Sequence, residues 1–235
     1  MKTRLIILIL LVAAAAAIGE VRRRASTIEK KELVPYDHRL WWYAKEAKNK
    51  GQQKVSVPAP LVCDYLGGAG TISAEEAFSS STVVVAHLVA KQSTYINDDI
   101  TTWNKFAIDE TLSEGKDLPC RSCVPPFAPA TVLPLLPGEF LLRKTGGTVN
   151  IDGVEVQQSL ADYPEYELDQ KYVLLINVYS WGIPQTMGGP VGVFKVLPND
   201  KLAPISESDH KIRKDFKDVY GNSLEQVRKH LKRSK

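Results

Sequence analysis

Residues Ser81 to Lys91 read STVVVAHLVAK. Val83, Val84, Val85, Leu88 and Val89 crowd aliphatic, mostly β-branched side chains into a stretch free of Pro and Gly. Such residues fit a pleated backbone, and at this density they exceed what a strand with one solvated face would carry. The segment therefore predicts a strand buried on both faces, in the middle of a sheet. The rest of the chain has to supply its neighbours and the layers that cover it.

The neighbours are legible as shorter strands separated by turn signals. The polar stretch Gln92 to Ile100 predicts a loop or hairpin with Asn97, Asp98 and Asp99 at its tip. Thr101 to Leu112 then alternates, with Phe106, Ile108 and Leu112 on one side and Lys105, Asp109 and Thr111 on the other. That period of two is the mark of a half-buried antiparallel strand. Glu139 to Lys144 is a further strand. Thr148 to Val156 holds Asp152-Gly153 between apolar residues, the strongest short-range hairpin signal there is. After a loop from Tyr163 to Asp169, Tyr172 to Tyr179 (YVLLINVY) predicts a second deeply buried strand, and Val191 to Leu197 with the Asn199-Asp200 turn completes the sheet. His87, among aliphatics, reads as a hydrogen-bonded core residue, and the carboxylates of Asp98, Asp99, Asp109 and Glu110 as solvated, since they lack calcium-loop spacing.

Helical periodicity is confined to the flanks. Asp37 is placed to cap a helix with Leu40, Tyr43, Ala44 and Ala47 on one stripe and Gly51 as its stop; Trp41 and Trp42 beside it suit either core or an exposed patch. Val55 to Pro60 is an extended connector. Ser73 and Glu76 stand at capping-box spacing before a short helix that feeds the central strand. Near the C-terminus, Ile212, Phe216, Val219 and Tyr220 share a face up to Gly221, and Ser223 with Gln226 opens a last helix carrying Leu224, Val227 and Leu231.

Both ends of the chain bear on where it works. Lys2 and Arg4 precede an apolar run from Leu5 to Ala17 that ends in Ala15-Ala16-Ala17, the pattern of a secretory signal peptide with an A-x-A cleavage site. The run is short against the roughly 20 residues that span a bilayer. The expected location is secreted, or periplasmic and cell-envelope; the alternative, with Arg22, Arg23 and Arg24 as flank, is an N-terminal membrane anchor. Removing Lys2 and Arg4 lowers the formal net charge from +3 to +1, which gives no global electrostatic case for binding nucleic acid. Basic residues collect instead between Lys211 and Lys235. They form either a solvated helical face or a contact with a membrane surface or anionic polymer.

The segment Ser113 to Gly138 contains six prolines, at 119, 125, 126, 129, 134 and 137, and breaks the strand rhythm. A loop this long inside a compact domain is usually functional or disordered. It carries Cys120-Arg121-Ser122-Cys123. Three cysteines in an exported chain leave one unpaired, and Cys120 and Cys123 are close enough to close a small disulfide. Catalytic Cys-x-x-Cys pairs sit at a helix start, and Pro125-Pro126 prevents a helix here, so Cys120 and Cys123 are disulfide candidates first and redox candidates second. Binding candidates are Arg121 in this loop and Trp181 in the Gly- and Pro-rich stretch Trp181 to Pro190. No G-x-S-x-G elbow, phosphate loop or paired metal-spaced histidine occurs, so no catalytic residue, metal ligand or cofactor is assigned.

Taken in order, the capped turn and valine-rich strand (Ser73 to Val89), the aromatic-containing strand (Trp103 to Leu112), the Gly-Gly hairpin (Gly146 to Val156), KYVLLINV (Lys171 to Val178) and GVFKVLPNDKLAPI (Gly192 to Ile205) resemble a group of uncharacterised secreted bacterial proteins. More distantly they resemble the OB-type barrels of netrin-like and metalloproteinase-inhibitor-like modules. The resemblance implies a mainly-β fold, an antiparallel five- or six-stranded OB-like barrel with flanking α-helices, used for binding rather than chemistry. The inhibitor pattern places a cysteine at the mature N-terminus, and none stands there in this chain. The expected organisation is a signal peptide (1–17), an exposed leader (18–36), an N-terminal helix and connector (37–70), the barrel domain (71–205, with the proline-rich loop at 113–138) and C-terminal basic helices (206–235). The expected function is that of an exported, non-catalytic binding or structural module whose partner is a protein or an envelope polymer. The alternative is an enzyme, with thiol-disulfide activity at Cys120 and Cys123 or a dispersed hydrolase site.

Overall fold

In the computed structural model the described residues form ten strands arranged in two sheets, with four helices packed against them. These are residues 39–59, 73–96, 99–115, 128–160, 163–178, 184–206 and 211–233. Leu40 to Lys235 falls within one compact unit. The signal-peptide and leader readings lie outside the described residues.

The valine-rich segment is the centre of the larger sheet. Strand β2 (Thr82–Ile96) pairs on one side with β3 (Asp99–Ser113) and on the other with β7 (Lys171–Val178). β4 (Glu139–Thr145) adds beyond β3, while β8 (Pro184–Thr186), β9 (Val193–Val196) and β10 (Leu202–Pro204) add beyond β7, all antiparallel. The stretch Gln92 to Ile96 belongs to the strand itself: β2 and β3 form one long hairpin, and the polar residues pair through to Ile96 and Asp99. Ladder slips between Val83 and Val84, Val85 and Ala86, and Leu88 and Ala90 mark β-bulges. They overturn the simple alternation expected of β3: Phe106 and Ile108 pack on one face, but Leu112 packs on the opposite one. Each bulge adds a residue and so reverses which side chains face which way.

The larger sheet curls. Laid flat, β4 and β8 would lie four strand spacings apart, roughly 19 Å, yet Cα atoms of the two strands approach within 8 Å. No ladder among the described residues joins them, so the sheet is not closed into a barrel. Inside the curl lies an aromatic and aliphatic core that includes Leu88, Phe106, Phe140, Leu142, Tyr166, Tyr172 and Leu174. Outside it, Val83, Val85, Val173 and Leu175 meet helix α2 (Ala74–Ser80) and the C-terminal helices α3 (Lys211–Tyr220) and α4 (Leu224–Arg233). Phe78, Phe194, Phe216 and Tyr220 stack there. Ser73 Oγ caps α2 by accepting the N–H of Glu76 at 3.2 Å, and Leu224, Val227 and Leu231 are buried as their stripe requires. The side chains of Ile212 and Val219 lie outside the described residues.

The smaller sheet orders β1 (Lys54–Pro58), β6 (Val154–Ser159) and β5 (Gly147–Ile151), with β1 parallel to β6. Much of the connector is thus a strand. Helix α1 (Arg39–Asn49) lays Leu40, Ala44 and Ala47 on this sheet against Val57, Val154 and Val156. Asp152 (φ +52) and Gly153 (φ +85) make the two-residue turn between β5 and β6, a geometry with both central residues left-handed. Trp42 is 54 % exposed, whereas Trp41 donates to Asp152 Oδ2 at 3.2 Å.

The described part of the proline-rich loop has a structural task. Ala128, Val132, Leu133 and Leu135 cover Trp103 and Leu141 on the outer face of β3 and β4. Lys105, paired with Glu139 at 2.7 Å, donates to Pro134 O, and Glu139 accepts the N–H of Leu136.

Candidate functional site

The bulge at Leu88 to Ala90 creates the site. Before it, Val84, Ala86 and Leu88 fill the interior of the curl; after it, the inward positions belong to Lys91 and Ser93. The interior turns from apolar to polar at that point, along two rows that cross three strands. Lys91, Asn104 and Leu142 form one, and Ser93, Thr102 and Lys144 the next. A core strand thus ends in a patch of amines, hydroxyls and an amide.

These groups are not equivalent. Ser93 Oγ and Thr102 Oγ1 lie 2.8 Å apart, Thr102 Oγ1 donates to Gly146 O at 2.5 Å, and the N–H of Thr148 donates to Ser93 Oγ at 3.3 Å. Asn104 is buried, and its Oδ1 has no hydrogen-bond partner among the described residues. Lys144 is only 2 % exposed, with Nζ 5.1 Å from the centre of the Tyr163 ring. Burial lowers its ammonium to a pKa of about 8, against a smaller upward pull from Glu165 and a further downward one from Lys91. The Tyr163 hydroxyl lies 2.9 Å from that of Tyr166 and 3.1 Å from Thr186 Oγ1, so it fills the gap between β4 and β8. Burial raises Tyr166 well above its ordinary value and keeps it neutral. Lys91 closes the inner end: Nζ meets Glu165 Oε2 at 2.7 Å and Tyr166 O at 3.1 Å, and that bond holds the Glu165 carboxyl below its usual range.

From this end a groove of about 1010 Å³ runs between β2 and β5. Its walls include every residue from Lys91 to Tyr95 and from Thr148 to Asp152. Successive side chains of a strand point to opposite faces. A cavity touched by five consecutive residues therefore lies along the strand edge, where the backbone itself is the wall. Register fixes which backbone groups these are. The N–H of Ile100 donates to Gln158 Oε1 and its C=O accepts from Gly146, so Ile100 turns away from β2 and its neighbour Thr101 turns toward Thr94. By alternation, Gln92 and Thr94 bond to β3, while Lys91 and Ser93, which both line the groove, turn N–H and C=O away from β3. β7 holds this edge of β2 only up to Lys171, opposite His87. Asp169 and Gln170 bond Leu88, and Asp169, at φ +61, then takes the chain out of the row. On the facing wall, Asn150 turns its backbone away from β6, since Thr148, two residues before it, points toward Ser93.

Cys120, Cys123, Arg121 and Trp181 lie outside the described residues. His87 is half-buried rather than in the core, with Nδ1 2.9 Å from Asp109 Oδ1, and Asp109 also meets Lys171 at 3.4 Å. Glu110 is held by Arg228, which reaches Asp200 as well, so part of the basic C-terminus is spent on internal pairing. Of the carboxylates expected to be solvated, Asp109 and Glu110 are partly exposed and ion-paired, and Asp98 lies outside the described residues. Among the described residues no group of His, Cys, Asp and Glu is arranged to hold a metal ion. No protein-family model matches the chain, and no curated protein or solved structure is significantly similar to it.

Proposed function

We propose that this chain is an exported, non-catalytic binding module of the cell envelope or extracellular space, and that the slot between β2 and β5 holds its ligand. The observation that carries the reading is the groove of about 1010 Å³ with two strand edges as walls. Its lining is mixed: Tyr95, Val149 and Ile151 stand beside polar groups whose directional donors and acceptors fix a ligand's orientation. The titratable groups at its inner end are paired or held by burial, as suits recognition. The export half of the reading is supported by Lys2, Arg4 and the apolar run that ends in Ala15-Ala16-Ala17. On this reading the curled sheet is an OB-like barrel left open between β4 and β8, the slot lying toward the end of the β2–β3 hairpin.

Two measurements test it. Intact mass of the protein recovered from its host should begin near Ile18; an uncleaved chain contradicts export. Amide exchange of the full chain, with and without a soluble fraction of envelope material, should slow in the slot-lining segments. Slowing elsewhere alone, or none, contradicts the site.

A further inference from the structure

We propose that the ligand of the slot is an extended peptide segment, which adds as a strand to the edge of β2 in the row that β7 leaves at Lys171, with an acidic residue at the Lys91 end. The inference rests on the slot being a binding site and names what it binds. A strand edge is a ladder of backbone donors and acceptors whose natural complement is another backbone at strand spacing. Lys91 and Ser93 present such groups, and β7, which satisfies β2 through Thr82 to His87, is absent from their row. The edge from Lys91 to Thr94 spans about 13 Å at strand rise, enough for a segment of about four residues.

The opposite wall sets the depth. Thr148 and Asn150 of β5 stand across the slot, and Asn150 offers it backbone groups at the β5 edge. Gly147 holds β5 close at the narrow end: its φ is +138, and a Cβ there would land on Thr102 Oγ1 and Ser93 Oγ. The slot is thus narrow near Ser93, too tight for a folded element beside β2 and suited to a single extended chain.

Charge gives the segment a direction. Lys91 pairs with Glu165 at 2.7 Å at the inner end, and the buried amine of Lys144 adds a second positive charge near them, while Asp152 lines the opposite wall. The orphan Oδ1 of Asn104 lies in the same row as Lys91. A carboxylate on the incoming chain balances the charge. A lysine there would face two amines.

The test uses the full chain and an array of blocked peptides about ten residues long, in β-favouring sequences with either an acidic residue or a lysine at each position. The expected result is binding of acidic members at least about tenfold tighter than their lysine counterparts, with the amides of Lys91 and Ser93 slowed in exchange by the bound peptide. N-methylation of the best binder, scanned along its backbone, should abolish binding at every second position only, since alternate amides face β2. Lys91→Gln should bring acidic and lysine peptides to within about twofold of each other, with a cooperative unfolding transition showing that the variant is folded. Equal tolerance of N-methylation at all positions, or protection away from the slot, overturns strand addition. If no peptide binds but an envelope polymer slows the same amides, the peptide inference falls and the binding site stands. If nothing slows them, both fall.

Discussion

Ser93 and Thr148 join the two sheets: the backbone N–H of Thr148 on the edge of β5 donates to Ser93 Oγ on β2 at 3.3 Å. The same hydroxyl lies 2.8 Å from Thr102 Oγ1, so one side chain links β2, β3 and β5 and sets the narrow end of the slot. Ser93→Ala removes the acceptor and leaves a partly buried N–H without a partner. The expected cost is about 1–2 kcal/mol in urea unfolding; a change near zero would mean that the junction does not hold the sheets together.

Gly147 is the second element of that junction. At φ +138, with Ser93 and Thr102 where a Cβ would stand, alanine is excluded by conformation and by space. Gly153, at φ +85 in the β5–β6 turn, has open space around it. Gly153→Ala should therefore cost about 1 kcal/mol, and Gly147→Ala at least about 2 kcal/mol more, because buried groups must move as well. Equal unfolding midpoints for the two variants would contradict the close approach.

The buried amine of Lys144 makes stability depend on pH in a defined direction. Its folded pKa of about 8 lies below the ordinary 10.5, so the unfolded chain binds more protons between those values. Stability contributed through this group rises with pH across that window, and the penalty is fully present below about pH 8. Lys144→Met should raise stability at pH 7 by about 1–3 kcal/mol, part of the full shift being offset by the Tyr163 ring face. The gain should shrink toward pH 10.5; a gain that grows with pH would contradict the assignment.

Val132, in the described end of the proline-rich loop, is 1 % exposed against Trp103 and Leu141. Val132→Ala should destabilise by about 1–3 kcal/mol. An unchanged unfolding midpoint would show that this segment is a loose excursion, as its composition suggests, rather than a cover for the outer face.

Much of the fold was legible because strand burial and turns leave strong local signals. The density of Val83 to Val89 placed β2 at the centre, and Asp152-Gly153 located a hairpin to the residue. The curl and the partner of β1 were not legible, since both arise from pairing between distant segments. β1 joins β6 about a hundred residues away and in parallel. The bulges hid the site in part: after the slip at Leu88 to Ala90 the inward positions are odd-numbered, and no residue type announces the change. One signal was there to be read. Lys144 alternates with Phe140 and Leu142, and Asn104 with Phe106 and Ile108, so period two sets a polar residue on an apolar face in each strand.

The open edge of β2 is the central claim, and residue-resolved amide hydrogen exchange of the ligand-free protein tests it most directly. Gln92 and Thr94, bonded to β3, should exchange slowly, while Lys91 and Ser93, turned away from β3, should exchange at least about a hundredfold faster, giving an alternating pattern along one strand. Uniform protection from Lys91 to Thr94 would mean that the edge is already paired and that the slot is not a place for an added strand.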